Sequence, residues 1–278
     1  MTHVIHATTR SAGDVAARPC AAGLSRTVAV AVTVCVAVAL AAVPGRADGV
    51  SVSIGLGAQV LPDYFGAATY RARPLGYGAL HDIEFGDFQR DDPGPREDRT
   101  GFAFGGAVRV SHARLAEDNP ELAGLSDVPW SLETGAVAGY STGTLRGFAD
   151  LRYGVIGHNS FVGEIGGDVI LRPGANTTIT LGPRVQIGSD AYAETYFGVT
   201  ATEAAASSFA AFAADGGILS AGLQLNLVHR FDDDWSIRGR LDLRDLQGSA
   251  ADSPITAQGS GFQARAGVTL VRRFSLGD

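Results

Sequence analysis

The segment GHNSF, Gly157 to Phe161, places a histidine two residues before a serine. Ester hydrolysis by a nucleophile needs that pair, an imidazole to take the hydroxyl proton and a third group to orient the ring. An enzyme acting on lipid would hold the pair on a membrane-facing rim. In so tight a loop, however, His158 and Ser160 are expected to point apart, and Asn159-Ser160 is ordinary turn chemistry. Lipid hydrolysis therefore stands as a distant third reading, with no catalytic residue assigned. Asp232, Asp233 and Asp234 could gather calcium, but they lack the spaced ligands of an EF-hand-like loop and read as a solvated hairpin tip. His81, His112 and His229 show no HExxH or other ligand spacing. Gly55-Leu56-Gly57 has no following helix to complete a phosphate loop, and its small residues are expected to relieve crowding inside a narrow barrel. No metal or cofactor is expected, and the chain does not read as an enzyme.

The chain has 278 residues, of which 45% are hydrophobic, 18% charged and 37 glycine, which suits one domain of moderate size. All 22 basic residues are arginine, a pattern that reads as nucleotide-composition bias, and the net charge of −7 argues against a nucleic-acid partner. The first 47 residues have the grammar of a secretory signal. Arg18 and Arg26 precede an apolar run, Val28 to Val43, and PGRA follows with small residues at Gly45 and Ala47. The run is shorter than the roughly 20 residues of a spanning helix, so cleavage before Asp48 is expected, leaving residues 48–278 as the mature domain. Both cysteines, Cys20 and Cys35, lie in the removed part, and ARPC around Cys20 lacks the small residues of a lipoprotein site. The mature chain then has no thiol, and its charge falls to −10, with 18 arginines against 28 acids.

What must position any chemistry is a run of two-sided segments. In WSIRGRLDLR, Trp235, Ile237, Gly239, Leu241 and Leu243 share one face, while Arg238, Arg240, Asp242 and Arg244 share the other. The same alternation recurs at Val52–Val60, Phe102–Val110, Trp130–Tyr140, Leu145–Val155, Phe161–Leu171, Ile179–Ile187, Leu219–Leu227 and Phe262–Phe274, with a less regular segment in Tyr70–Phe88. These segments predict an all-β, antiparallel fold of about ten strands, twelve being the alternative count, each long enough to cross a bilayer when tilted. A lipocalin-like soluble barrel would show similar alternation, so the sign of the two faces needs further signals. Aromatic residues cluster at strand ends (Trp130, Tyr140, Phe161, Trp235, Phe262, Phe274), as interfacial girdles do. The connections also alternate, with tight turns at Ser141–Gly143, Pro173–Asn176 and Asp232–Asp234 against long links at Ala113–Pro129, Ser189–Gly217 and Gln247–Ser260. Outer-membrane barrels place short turns in the periplasm and long loops outside. The acidic link Arg90–Arg99 is the misfit, falling on the periplasmic side.

On this reading the apolar stripe faces lipid. Arg109, Arg146, Arg152, Arg184, Arg230, Arg238, Arg240, Arg244 and Arg265 then line the bore beside Glu133, Asp150, Glu164, Asp168 and Asp242. Such a bore is expected to be narrow, laced by ion pairs, and biased toward anions if anything passes. In TATEAAASSFAAFA a short helix is expected with Thr202 as its cap. The surrounding loop is expected to fold into the mouth as a lid, with Tyr196 and Phe197 on the rim, in preference to an adhesion loop.

Three segments resemble the MltA-interacting protein (MipA)/OmpV family of Gram-negative outer-membrane proteins. They are Asp190–Leu225, with TYFGVT and EAAAS; Gly248–Phe274, with ADSPI; and LPDYFGAATYRARPL, Leu61–Leu75. The chain departs from the pattern after Phe274, where SLGD follows, and at Arg272, where an aromatic or apolar residue is commoner. The resemblance implies a scaffold in the outer membrane, among phospholipid and lipopolysaccharide, that brings a lytic transglycosylase together with a peptidoglycan synthase. It offers no catalytic residues. By position, Arg90–Arg99, Asp232–Asp234 and the SLGD tail are the candidate contact segments. A narrow passive pore for small solutes is the alternative function.

Overall fold

The computed structural model describes residues 50–80, 83–84 and 100–276, all within a unit spanning Gly45–Asp278. The expected signal segment, both cysteines, His81, Arg90–Arg99 and the last two residues of the tail lie outside the described residues.

Among the described residues, eleven strands form one antiparallel sheet. Ten have 11 to 15 residues: β1 (Val50–Pro62), β2 (Tyr70–Leu80), β4 (Gly101–Ser111), β5 (Ser131–Ser141), β6 (Leu145–Ile156), β7 (Phe161–Leu171), β8 (Thr177–Gly188), β9 (Gly217–Arg230), β10 (Trp235–Leu246) and β11 (Phe262–Leu276). The remaining strand, β3 (Ile83–Glu84), has two residues. The order is β3-β2-β1-β11-β10-β9-β8-β7-β6-β5-β4, so each long strand after β4 pairs with its sequence neighbour and β11 returns to β1. The count of ten long strands and the position of every tight turn match the sequence reading. Among the described residues no ladder joins β4 to β2 or β3, so this part of the sheet is a curled arc with one unzipped seam.

The curl is strong enough to bring distant strands into contact. Arg244 on β10 reaches Glu164 on β7 at 2.8 Å, across the two strands between them. The guanidinium of Arg238 on β10 lies 4.5 Å from the ring of Tyr77 on β2. Glycine makes part of this possible. At Gly57 and Gly222, both facing inward, an added Cβ would run into the main-chain carbonyls of Val268 and Leu243 on the neighbouring strand, so only a residue without a side chain lets the sheet bend there. That bears out the crowding expected of the small residues in β1.

Burial is inverted relative to a water-soluble sheet. The convex face exposes Phe102 (79%), Phe104 (81%), Leu56, Leu151, Val268 and Leu270, while Arg152, Arg184, Glu133, Asp150, Glu164, Asp168 and Asp242 are buried on the concave face. In water, exposure of so much contiguous apolar surface would be costly, since a soluble monomer rarely carries a patch beyond a few hundred Å². Against hydrocarbon it costs nothing. Exposed aromatics mark both rims. Phe102 and Tyr140 meet edge-on at 4.9 Å at the turn end, and Tyr153 and Phe161 do so at 4.8 Å at the loop end.

One residue departs from the alternation. Leu219 was expected on the outward face of β9 with Leu223, Leu225 and Leu227, yet it is 1% exposed. The register between β8 and β9 slips there, Gln186 pairing with Ser220 and Ile187 with Ile218. Leu219 is the extra residue of a bulge, which reverses the phase of the side chains beyond it.

The long links fold over the end opposite the tight turns. They carry α1 (Asp190–Phe197), α2 (Ala201–Ala206), α3 (Gly248–Asp252), α4 (Pro254–Gln258) and a 3₁₀ turn at Pro120–Leu122. Ser189 caps α1 by accepting from the Tyr192 N–H. The cap of α2 is Thr200, not the expected Thr202. Thr200 Oγ1 accepts from the Glu203 N–H, and the Glu203 carboxylate accepts from the Thr200 N–H. This reciprocal box needs an acid three residues after the cap, which Thr200 has and Thr202 lacks.

Candidate functional site

Every charged residue read from the sequence as bore-lining belongs to a strand whose alternation turns it inward, and three linked ion-pair groups occupy the concave face. At the loop end, Glu133 on β5 receives both arms of Arg109 on β4, at 2.9 and 3.0 Å, and Arg152 Nε on β6 at 3.0 Å. Arg152 also donates to Asp150 at 2.6 Å. Arg244 forks onto Asp242 with two bonds of 2.7 Å and donates to Glu164 at 2.8 Å. Asp168 accepts from Arg184 at 2.8 Å and from Arg146 at 2.7 Å. Neutral polar side chains fill between them: Arg240 donates to Gln224 at 2.6 Å, and Asn226 donates to Thr180 at 3.0 Å. Alternation places Arg230 and Arg265 on the same face, Arg265 directly opposite Asp242 in the ladder. Buried charges survive only when paired and hydrogen-bonded, and the forked geometry here supplies both.

The sequence alone did not single out one local device. Pro183 brings no N–H to the β7–β8 ladder, and no partners are assigned across it for Gly167 and Asp168. Arg184, the next residue, turns Nη1 onto the Gly167 carbonyl at 3.1 Å and the Pro183 carbonyl at 3.0 Å. Its ring contact with Phe148 lies at 5.0 Å. Proline beside an inward arginine was the available signal, and it carries meaning only once the register is known.

Above this network the loops build the expected lid. Tyr192, Tyr196 and Phe197 of α1 are buried with Val162, Leu219, Leu246 and Ala250, and Phe65 packs edge-on to Tyr196 at 5.2 Å. A second cluster joins Tyr64, Leu122, Leu125, Val199, Phe209 and Ile255. Polar ties fix the lid to the rim. Arg114 Nη1 donates to the Tyr196 carbonyl at 2.9 Å, Ser253 Oγ donates to the Phe197 carbonyl at 2.7 Å, and Glu203 accepts from the Ser126 N–H at 2.8 Å. Burial would raise the Glu203 carboxyl, but its bonds from Thr200 and Ser126 outweigh that and hold it at about 2. Burial pushes the hydroxyls of Tyr192 and Tyr196 above their ordinary range. The void between Phe65, Tyr192, Phe197, Leu219 and Leu246 measures about 10 Å³, room for roughly one water.

His158 and Ser160 do not point apart, as the sequence reading expected. Gly157 (φ +94°) and Asn159 (φ +48°) both adopt the left-handed region, which folds the loop so that residues 158 and 160 share a side. His158 Nδ1 lies 2.6 Å from Ser160 Oγ and accepts the Ser160 N–H at 3.2 Å, while Nε2 faces Glu133 at 3.4 Å. The arrangement has the outline of a hydrolytic relay in a buried setting. All three side chains are buried, and the imidazole lies edge-on to Tyr192 and Tyr196 at 5.0 and 5.8 Å. The cluster joins the Glu133 network to the underside of the lid.

At the turn end, Asp232 is committed to the backbone, its Oδ1 accepting the N–H groups of Asp234 and Trp235 at 2.9 and 2.7 Å. This aspartate shapes the turn, as an Asx motif does. Among the described residues no group of His, Cys, Asp or Glu could hold a metal ion, and no helix is long and apolar enough to cross a membrane.

The sequence matches the family described as MltA-interacting protein MipA over residues 54–274. No curated protein matches it. Solved structures similar to it include an outer-membrane channel from Pseudomonas putida F1, at 11% identity, covering 83% of this chain and 97% of that one, with a TM-score of 0.41. Neisserial surface protein A aligns at 7% identity over 83% and 98%, with a TM-score of 0.27. The translocator domain of the autotransporter NalP from Neisseria meningitidis aligns at 10% identity over 89% and 96%, with a TM-score of 0.34.

Proposed function

The chain belongs to the MltA-interacting protein family and is an outer-membrane β-barrel protein, and from that premise we propose that it works as a structural adaptor for peptidoglycan-remodelling enzymes. The observation that carries this reading is the occupied interior. Ion pairs span the concave face from β10 to β7, and a packed lid covers the loop end. A barrel filled in this way offers its outer surfaces for work rather than a passage. The family's name supports a lytic transglycosylase as one partner, and a peptidoglycan synthase is the second in this proposal. The contacts would fall on the periplasmic side, with Arg90–Arg99, Asp232–Asp234 and the SLGD tail as the candidate segments by position in the sequence. In the membrane β4 pairs with β2, because an open strand edge has no place in hydrocarbon. Residues 1–47 act as the secretory leader, and the mature chain begins at Asp48.

The test is capture from detergent-solubilised envelopes with the intact mature protein as bait. Recovery of a lytic transglycosylase together with a peptidoglycan synthase supports the adaptor. Recovery of neither, with steady ion-selective conductance in planar bilayers, would replace it with the passive pore. N-terminal sequencing of the protein from outer membranes reads the cleavage site directly.

A further inference from the structure

The arginines in the described strands face inward, with one exception. Arg272 on β11 is exposed and belongs to the outward column of Val268, Leu270 and Phe274. Its guanidinium lies 5.3 Å from the ring of Trp235, its ladder partner on β10, and 5.0 Å from the ring of Phe274. None of the ion pairs among the described residues involves it. Ten residues separate Arg272 from the exposed Phe262 on the same strand. At about 3.4 Å per residue and a tilt near 40°, that is roughly 26 Å of height, close to the ~25 Å apolar band of an outer-membrane barrel. If Phe262 marks one interface, Arg272 stands at the other, at the depth of lipid phosphates.

The outward surface lowers beyond the first row inward of Arg272. Two ladder rows inward, Gly239, Val268, Ala58 and Pro74 stand side by side, and the next row holds Leu241, Ala266, Val60 and Ala72. Larger outward residues, Ile237, Leu270 and Leu56, lie between this strip and Arg272. Stacking on aromatic faces orients a guanidinium and leaves its N–H fork for an anion. A phosphate matches that fork, and an attached acyl chain matches the low-relief strip.

We propose that Arg272, Trp235 and Phe274 form a binding site for the phosphate of a glycerophospholipid in the leaflet at the turn end, with an acyl chain lying along Val268, Gly239 and Ala58. The site rests on the convex face meeting lipid and is independent of the adaptor role. It gives Arg272 a task that an apolar residue could not perform.

The experiment titrates the refolded mature protein in detergent with phosphatidylglycerol and reads bound lipid by native mass spectrometry. Diacylglycerol with the same chains serves as the phosphate-free arm, and inorganic phosphate serves as competitor. Wild type should retain phosphatidylglycerol over diacylglycerol, and Arg272→Gln should weaken retention by about fivefold, the effect of one cation near a lipid surface. Arg172→Gln, in the turn after β7, should leave retention unchanged. Heat-shifted gel mobility confirms that each variant is folded. Equal retention by Arg272→Gln and wild type overturns the proposal, as does full displacement by inorganic phosphate or an equal loss in Arg172→Gln. If the wild type fails to insert into phospholipid vesicles at all, the membrane assignment itself falls, and this separate result is read before any titration.

Discussion

Replacing Glu133 with glutamine removes one charge from the centre of the loop-end network and leaves its shape almost unchanged. Glu133 is fully buried, and its two oxygens accept from Arg109 at 2.9 and 3.0 Å, Arg152 at 3.0 Å and Ser111 at 3.4 Å, with His158 at 3.4 Å. The glutamine keeps one acceptor oxygen, but its NH2 group must face an arm of the Arg109 fork. At least two charge-assisted bonds are lost or weakened, each worth about 1.5–3 kcal/mol, and two guanidiniums lose a shared counter-charge. Removing one partner of a buried pair costs about 3–5 kcal/mol, and both estimates point to a loss in that range. Urea unfolding in lipid vesicles measures it, followed by the fluorescence of the chain's two tryptophans, Trp130 beside β5 and Trp235 at the opposite rim. Combining Glu133→Gln with Arg152→Met should cost at least about 1 kcal/mol less than the sum of the single changes, because the two groups are in contact. A loss below about 1 kcal/mol for Glu133→Gln, the range of a solvent-exposed pair, would refute the view that these charges form the interior of the fold.

Four further outcomes follow from the same geometry. The Glu203 carboxyl sits at about 2 in the folded lid against an ordinary 4.5. Its stabilisation is complete above pH ~4.5 and lost as pH falls toward 2, so pepsin nicking of the lid should rise over that window and lose this dependence in Glu203→Gln. Thr200→Ala should loosen α2 by about 1 kcal/mol, read as faster nicking at every pH. Placing a charge on the outward face by Leu225→Arg should cost about 2–4 kcal/mol of folding free energy in vesicles, whereas a soluble barrel would not register it. Gly222→Val drives a side chain into the Leu243 carbonyl, so the folded, heat-modifiable band should disappear; a normal band would show that the sheet need not bend there.

The period-two pattern made the strands and their inward charges legible because side-chain direction along a strand is a local property. Arg238, Arg240, Asp242 and Arg244 could be assigned to one face from four alternate positions. The pattern is blind to a single inserted residue. Leu219 continues the apolar alternation in sequence, and only the slipped pairing of β8 with β9 turns it inward. The pairing of His158 with Ser160 was missed for a related reason, since it depends on left-handed backbone at Gly157 and Asn159. Glycine at 157 was a signal for such a turn, but the direction of the loop's side chains was not in the residue types. The cap of α2 was readable, because Thr200 has an acid at the third following position and Thr202 does not.

The inversion of the two faces has a consequence for how such a protein can work. Lipid demands an apolar exterior, so specific polar chemistry must be enclosed in the bore or gathered at the two rims. Here the enclosed polar groups are spent on one another: Arg109 and Arg152 on Glu133, Arg244 on Asp242 and Glu164, Arg184 and Arg146 on Asp168. Opening a path for solutes would require breaking several of these pairs in a low-dielectric interior, where each leaves an uncompensated charge. At the loop end, Tyr192, Tyr196 and Phe197 are packed and tied to the rim. A curled sheet of this kind holds its short turns at fixed spacing, because every tight turn joins two strands of one continuous ladder. Fixed spacing is what simultaneous engagement of two enzymes requires, and it connects the buried arginines to the proposed adaptor role without any of them touching a partner.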